Sequence, residues 1–231
     1  MVDAAEFDQF ADEYTEMHRA NIAITGEAPE YFAEYKIRLL KDFAAGAAIA
    51  PDRVLDFGSG IGNSIPYFAR YFPASRLTCA DLSQRSLAVG DARFPGLGQT
   101  ALIEANAIPS ADDAFDVAFS ACVFHHIPHE EHVHWLGELR RVTRVGGMLS
   151  VFEHNPLNPL TVRAVNTCPF DANARLLRAR LLAERFRLGG WRDIEVRYHL
   201  FFPRKLAALR SLEPHLTKLP VGAQYSVSAR K

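Results

Sequence analysis

The chain is 231 residues long, 48% hydrophobic and 23% charged, enough to bury one substantial core. Its 26 basic and 27 acidic residues leave a formal charge of −1, without the basic excess of a nucleic-acid binder. No apolar run approaches the roughly 20 residues of a membrane span, and the acidic start Met1–Glu6 lacks an apolar signal core.

In chain order, Phe7, Phe10, Ala11, Tyr14 and His18 recur at helical spacing and predict an amphipathic first helix. Gly26 and Pro29 interrupt the pattern. A second helix is predicted over Glu30–Ala44, with Phe32, Tyr35, Leu39 and Phe43 as its buried stripe. The apolar strand Arg53–Phe57 then runs into Gly58, Gly60 and Gly62. A helix opens at Asn63 or Ser64, with Pro66 in its first turn, where a missing N–H does no harm. Further strands are predicted at Leu77–Ala80, Thr100–Ala105, Asp116–Ala121 and Met148–Glu153. One helix should begin near Ser83 and stop before Pro95, and another should open near Pro128. Cys79, Cys122 and Cys168 show no C-x-x-C pair, the pattern of reduced thiols in a cytoplasmic protein, and the first two are expected as small core residues. Beyond His154, Asn155–Asp171 reads as a Pro-rich loop suited to a lid or substrate wall. Leu176–Leu188 reads as a helix and Arg192–Phe202 as a strand. Pro203 should open a short helix, and Gln224–Ala229 reads as the last strand.

Strands alternating with helices imply an α/β fold with a Rossmann-like, doubly wound sheet of about seven strands. No linker separates two globular halves, so residues 1–231 are expected to form a single domain. The turn at Gly58-Ser-Gly-Ile-Gly62 is the most informative feature: it lets backbone approach a polar ligand while a helix N-terminus faces it. Asp81 closes the second strand about twenty residues on, where an acid takes ribose hydroxyls. An adenosine-like cofactor is therefore expected. A dinucleotide fingerprint would place its third glycine three residues after the second, at Asn63. That departure, and the missing substrate domain, weigh against a nicotinamide-dependent oxidoreductase, which stays as an alternative.

The G-x-G-x-G form resembles the first motif of class I S-adenosylmethionine-dependent methyltransferases. Other segments follow in the family's order. Ala80-Asp-Leu-Ser83 resembles its ribose clamp, Glu104–Pro109 the loop bordering the adenine, Phe115–Pro128 the fourth strand and following loop, and Arg144–Leu149 the turn into the fifth strand. The likeness runs from Arg53 to His154 and leaves the ends uncovered. It implies a mostly parallel sheet closed by an antiparallel C-terminal pair and covered by an N-terminal helical cap. Residues 1–50 would be that cap, 51–154 the cofactor-binding core, and 155–231 the lid or substrate loop with the final strands.

S-adenosylmethionine is the cofactor so implied, and methyl transfer to a small-molecule or lipid- or sugar-linked acceptor the activity. Asp56, Gly58, Gly60 and Gly62 would line the methionine end and the ribose, with Asp56 holding the cofactor's ammonium. Asp81 would accept from the ribose hydroxyls and Leu82 would lie against the adenine. Asn106, where many relatives carry aspartate, keeps an acceptor for the adenine amino group. Ala107 would offer its N–H to the ring, and Ser120 would lie beneath the methionine moiety. Tyr14 is the candidate aromatic cap, although its spacing with Phe7 and Phe10 equally suits helix packing.

Methyl transfer from a sulfonium needs a base only when the acceptor is protonated. His126 is the candidate for that role. The resemblance implies that the His125-His126 pair shapes the pocket wall, and Glu153 and His154, at the end of the fifth strand, are expected to face the same crevice, where one of them would touch the acceptor. His125, His126, His129, His132 and His134 crowd into one short stretch. No cysteine or carboxylate pattern completes a zinc set there, so no metal is expected. A cofactor-binding protein without turnover is a further alternative, since fold does not establish activity.

Overall fold

A computed structural model describes residues 25–231 of the chain. The predicted first helix, and Tyr14 with it, lies outside the described residues.

The element order is α1 (Pro29–Gly46), β1 (Arg53–Phe57), α2 (Ile65–Tyr71), β2 (Arg76–Asp81), α3 (Gln84–Arg93), β3 (Gln99–Leu102), β4 (Phe115–Ala121), α4 (His132–Val142), β5 (Thr143–His154), α5 (Pro159–Asn166), α6 (Ala179–Leu188), β6 (Arg192–His199), α7 (Glu213–Leu216) and β7 (Gln224–Arg230). Seven strands make one sheet in the order β3-β2-β1-β4-β5-β7-β6. The first five are parallel, while β7 runs antiparallel to both β5 and β6. Strand order reverses between β1 and β4, which opens a crevice beyond their C-terminal ends, the usual ligand position in an open α/β sheet.

Strand periodicity sorts the core into two layers. Leu55 and Phe57 of β1, Ala118 of β4, and Leu149 and Val151 of β5 face α4 and α6, packing against Leu136, Leu139, Leu182 and Phe186. Their neighbours Val54, Val117, Phe119, Met148 and Phe152 face Ile37 and Leu40 of α1, Phe68 of α2 and Leu87 of α3. Of the stripe predicted on α1, Tyr35 is buried and Phe32, Leu39 and Phe43 are half-buried, because the helix turns Ile37, Leu40 and Ala44 to the sheet.

Several boundaries differ from the sequence expectation, each for a local reason. β3 stops at Leu102 because Ala105 and Asn106 adopt φ of 50° and 58°. The helix expected at Pro128 begins at His132, after a turn closed by Glu131 N–H donating to the Pro128 carbonyl at 2.9 Å. Asn155–Asp171 is not a plain loop. Asn158 caps α5 by accepting from Leu160 and Thr161 N–H at 3.1 Å each, Pro159 takes the first turn, and Pro169–Asp171 forms a 3-10 turn. β6 ends at His199, where Leu200 has φ 62° and Glu213 Oε1 accepts the N–H groups of Phe201 and Phe202. Among the described residues no helix is long and apolar enough to cross a membrane.

Candidate active site

β1 and β4 end at a cavity of about 1000 Å³. Its near wall is the turn after β1. Gly58, Gly60 and Gly62 have φ of 75°, 51° and 77°, the left-handed region that favours glycine. The turn is fastened to β2: Gly58 and Ser59 N–H donate to the Ala80 carbonyl at 2.7 and 3.2 Å, and Gly60 N–H donates to Asp81 Oδ2 at 2.8 Å. A Cβ on Gly58 would lie 2.3 Å from Val123 Cγ2, whereas one on Gly60 would meet nothing within 4 Å. Gly60 therefore presents bare backbone to open space.

Asp56 and Asp81 line this wall. Asp81 is held by its neighbours, Oδ1 accepting from Ser83 N–H at 2.9 Å while Oδ2 takes Gly60. Asp56 is 2% exposed, and its Oδ2 has no hydrogen-bond partner. Burial and the nearby Asp81 push its carboxyl up to about 8, against the opposing charge of Lys36. An orphaned carboxylate oxygen beside a backbone cradle is what a cationic ligand group would complete.

The remaining predicted contacts fall in two sets. Leu82 and Asn106 line the cavity, and the Asn106 carbonyl accepts from His134 Nε2 at 2.7 Å. Gly62, Ala107 and Ser120 do not. Gly62 packs against Ile65 and Gly90. Ala107 N–H already donates to the Glu104 carbonyl at 3.0 Å, which removes the ring contact expected of it. Ser120 is fully buried behind the wall with an unpartnered Oγ.

The far wall is built on the loop after β4 and the end of β5. Glu153 is fully buried and does not face the cavity as expected. Its Oε1 accepts from Val123 and Phe124 N–H at 3.0 and 2.8 Å, and its Oε2 contacts His125 Nδ1 at 2.5 Å. It is a positioning residue that fixes the loop and orients His125. His125, His126 and His154 do line the cavity, joined by a residue the sequence reading missed, Asp171. Asp171 Oδ1 stands 3.5 Å from His125 Nε2 and 3.4 Å from His126 Nε2. Burial would lower the His125 imidazole, but Glu153 and Asp171 hold it well above its usual range. Burial holds His126 below that range despite Asp171. His132 is structural, its Nε2 shared between the Phe124 and Ile127 carbonyls at 3.0 Å each. Cys122, expected in a strand core, instead follows β4 at φ 60° and lines the cavity, with Lys36 Nζ 3.6 Å from its sulfur. Tyr31, Phe32, Phe201 and Phe202 form an aromatic side of the same cavity.

Residues 54–147 match the methyltransferase domain family. Over 163 residues the chain is 31% identical to the demethylmenaquinone methyltransferase of Thermobifida fusca, a match spanning 68% of this chain and 64% of that protein. Over 114 residues it is 34% identical to a ubiquinone/menaquinone biosynthesis C-methyltransferase of Ralstonia pickettii, spanning 47% and 46%. The matches thus cover less than two thirds of either relative's length. A Thermotoga maritima structure described as a SAM-dependent methyltransferase, possible histamine N-methyltransferase, is similar in fold, with a TM-score of 0.68 at 18% identity over 98% of this chain and 99% of its own.

Proposed function

We propose, from the premise that this chain belongs to the class I S-adenosylmethionine-dependent methyltransferase family, that it transfers a methyl group from S-adenosylmethionine to a small-molecule acceptor held in the same cavity. Asp56 carries the reading. Its buried, unpartnered oxygen lines the same wall as the uncrowded Gly60 and the clamped Asp81, an arrangement that fits an ammonium and a ribose of one ligand. Family membership sets aside the nicotinamide-dependent oxidoreductase.

When bound, the cofactor supplies an activated methyl group and its own leaving group. The chain's residues would bind and align. Asp56 would take the ammonium, and Asp81, whose two oxygens each accept a backbone N–H, has the acceptor capacity for ribose hydroxyls as well. Leu82 and Asn106 would border the adenine. The cavity of about 1000 Å³ sits at the top of the roughly 300–1,000 Å³ range of ligand pockets, which supports a cofactor and a small acceptor together. Tyr31, Phe32, Phe201 and Phe202 favour a mainly apolar acceptor and would exclude water from the transfer.

The test is thermal unfolding with S-adenosylhomocysteine, followed by transfer of labelled methyl to a panel of small apolar acceptors. Ligand at a hundredfold excess over Kd should raise the melting temperature by about 5–10 °C. Asp81→Ala should remove that rise. No rise in the unaltered protein would refute the cofactor assignment. A rise without transfer to any acceptor would favour a binding protein without turnover.

A further inference from the structure

We propose that His125, His126 and Asp171 form a site for a divalent transition-metal cation at the acceptor end of the cavity. Neighbouring residues in the chain do not complete this set, because the carboxylate arrives from the turn Pro169–Asp171. In the fold, one ligand atom from each residue lies within 4.8 Å of the others.

Three observations converge. The first is distance. The Asp171 Oδ1 separations of 3.5 and 3.4 Å from the two Nε2 atoms are long for hydrogen bonds. They match the edge of a tetrahedron around a cation with ligands near 2.05 Å, about 3.3 Å. The second is an unpartnered atom. His125 is 1% exposed, and its Nε2 has no hydrogen-bond partner although the ring lines the cavity. Its Nδ1 is fixed by Glu153, the carboxylate–histidine arrangement that orients metal-binding imidazoles and raises their basicity. The third is charge. Glu153 and Asp171 place two carboxylates against this cluster, and a dication with two neutral imidazoles would balance them. Two histidines and one carboxylate also form a donor set that transition ions accept while keeping an open position.

That open position would face the cavity, which all three residues line. An ionisable oxygen of the acceptor could coordinate there. His126 would then hold a cation in place of acting as the general base read from the sequence. The proposal goes beyond methyl transfer and stands or falls separately from it.

The experiment is equilibration of the full chain with Zn²⁺, removal of excess ion, and elemental analysis, with Co²⁺ titration followed by visible absorption. One Zn²⁺ per chain and the absorption of a tetrahedral Co²⁺ centre are expected. Asp171→Asn and His126→Gln should each weaken uptake at least about tenfold, the lower bound for losing even an outer carboxylate of such a site. His134→Gln should leave uptake unchanged. Circular dichroism and melting temperature identify any variant that has not folded, and the second variant then decides. Absence of stoichiometric uptake would overturn the proposal, leaving His125 as an imidazolium between two carboxylates. Uptake that both folded variants retain would overturn it equally.

Discussion

Asp56 gives the sharpest test of the cofactor side. Its carboxyl is raised to about 8 by burial first and by Asp81 second, with Lys36 opposing and Cys79 packed nearby. If only the ionised form accepts the cofactor's ammonium, affinity must rise as pH rises toward that value. At pH 6 about one carboxyl in a hundred is ionised, a penalty of about 2.7 kcal/mol and a hundredfold in Kd relative to the plateau. Calorimetric titration with S-adenosylhomocysteine should show close to one proton released on binding at pH 6.5, with Kd falling about tenfold per pH unit up to pH 8. Asp56→Asn should bind weakly and lose both the slope and the proton release. The same shift acts on the ligand-free protein in the opposite sense. Between the unfolded value of 3.8 and about 8 the folded state binds the extra proton, so stability falls as pH rises through that window. Asp56→Asn should therefore melt higher than the parent at pH 8 while binding less tightly. A Kd that is flat from pH 6 to 8, or a slope that survives in Asp56→Asn, would refute the reasoning.

Other consequences can be checked on the ligand-free protein. Asn158→Ala removes the cap of α5 and the Nδ2 bond to the Val221 carbonyl at 2.9 Å, and should cost about 1 kcal/mol or somewhat more, seen as a melting temperature lower by about 2–4 °C. Asp116 accepts from Asp52 and Arg53 N–H at 2.8 Å each and from Arg144 Nε at 2.5 Å. Burial would raise its carboxyl, but these donors hold it below the usual value. On acidification the unfolded chain takes up that proton first, so the contribution is present above pH 4 and lost below it. Urea unfolding at pH 5 and pH 3 should show a smaller loss of stability in Asp116→Asn than in the parent.

The parts of the fold governed by local chemistry were readable in advance. β1 has the bounds that its apolar run and the glycines after it predict, and Asp81 ends β2 as the ribose-clamp likeness implies. Errors arose where tertiary contacts decide. Nothing in Ala105-Asn106 announces two successive left-handed residues, so the sequence predicts a β3 that runs on to Ala105. The Asn158-Pro159 pair is a helix start that could have been recognised, yet the surrounding prolines suggested a loop. Glu153 was placed at the crevice by its position in β5, but the loop after β4 draws its side chain inward to satisfy two N–H groups. Asp171 carried no local signal at all. Its neighbours in sequence are unremarkable, and only the turn before α6 brings it to the histidines.

The placement of β7 has a bearing on how the molecule comes into being. Among the described strands it comes last in chain order, yet it slots between two that precede it, and β6 pairs with no other described strand. Gln224, at its start, accepts from the Tyr35 hydroxyl and so ties α1 to β7. β1, β2 and β4 by contrast are all synthesised before residue 122. During translation the strands that carry the glycine turn can therefore pair while the side of the cavity lined by Gln224 is still unmade.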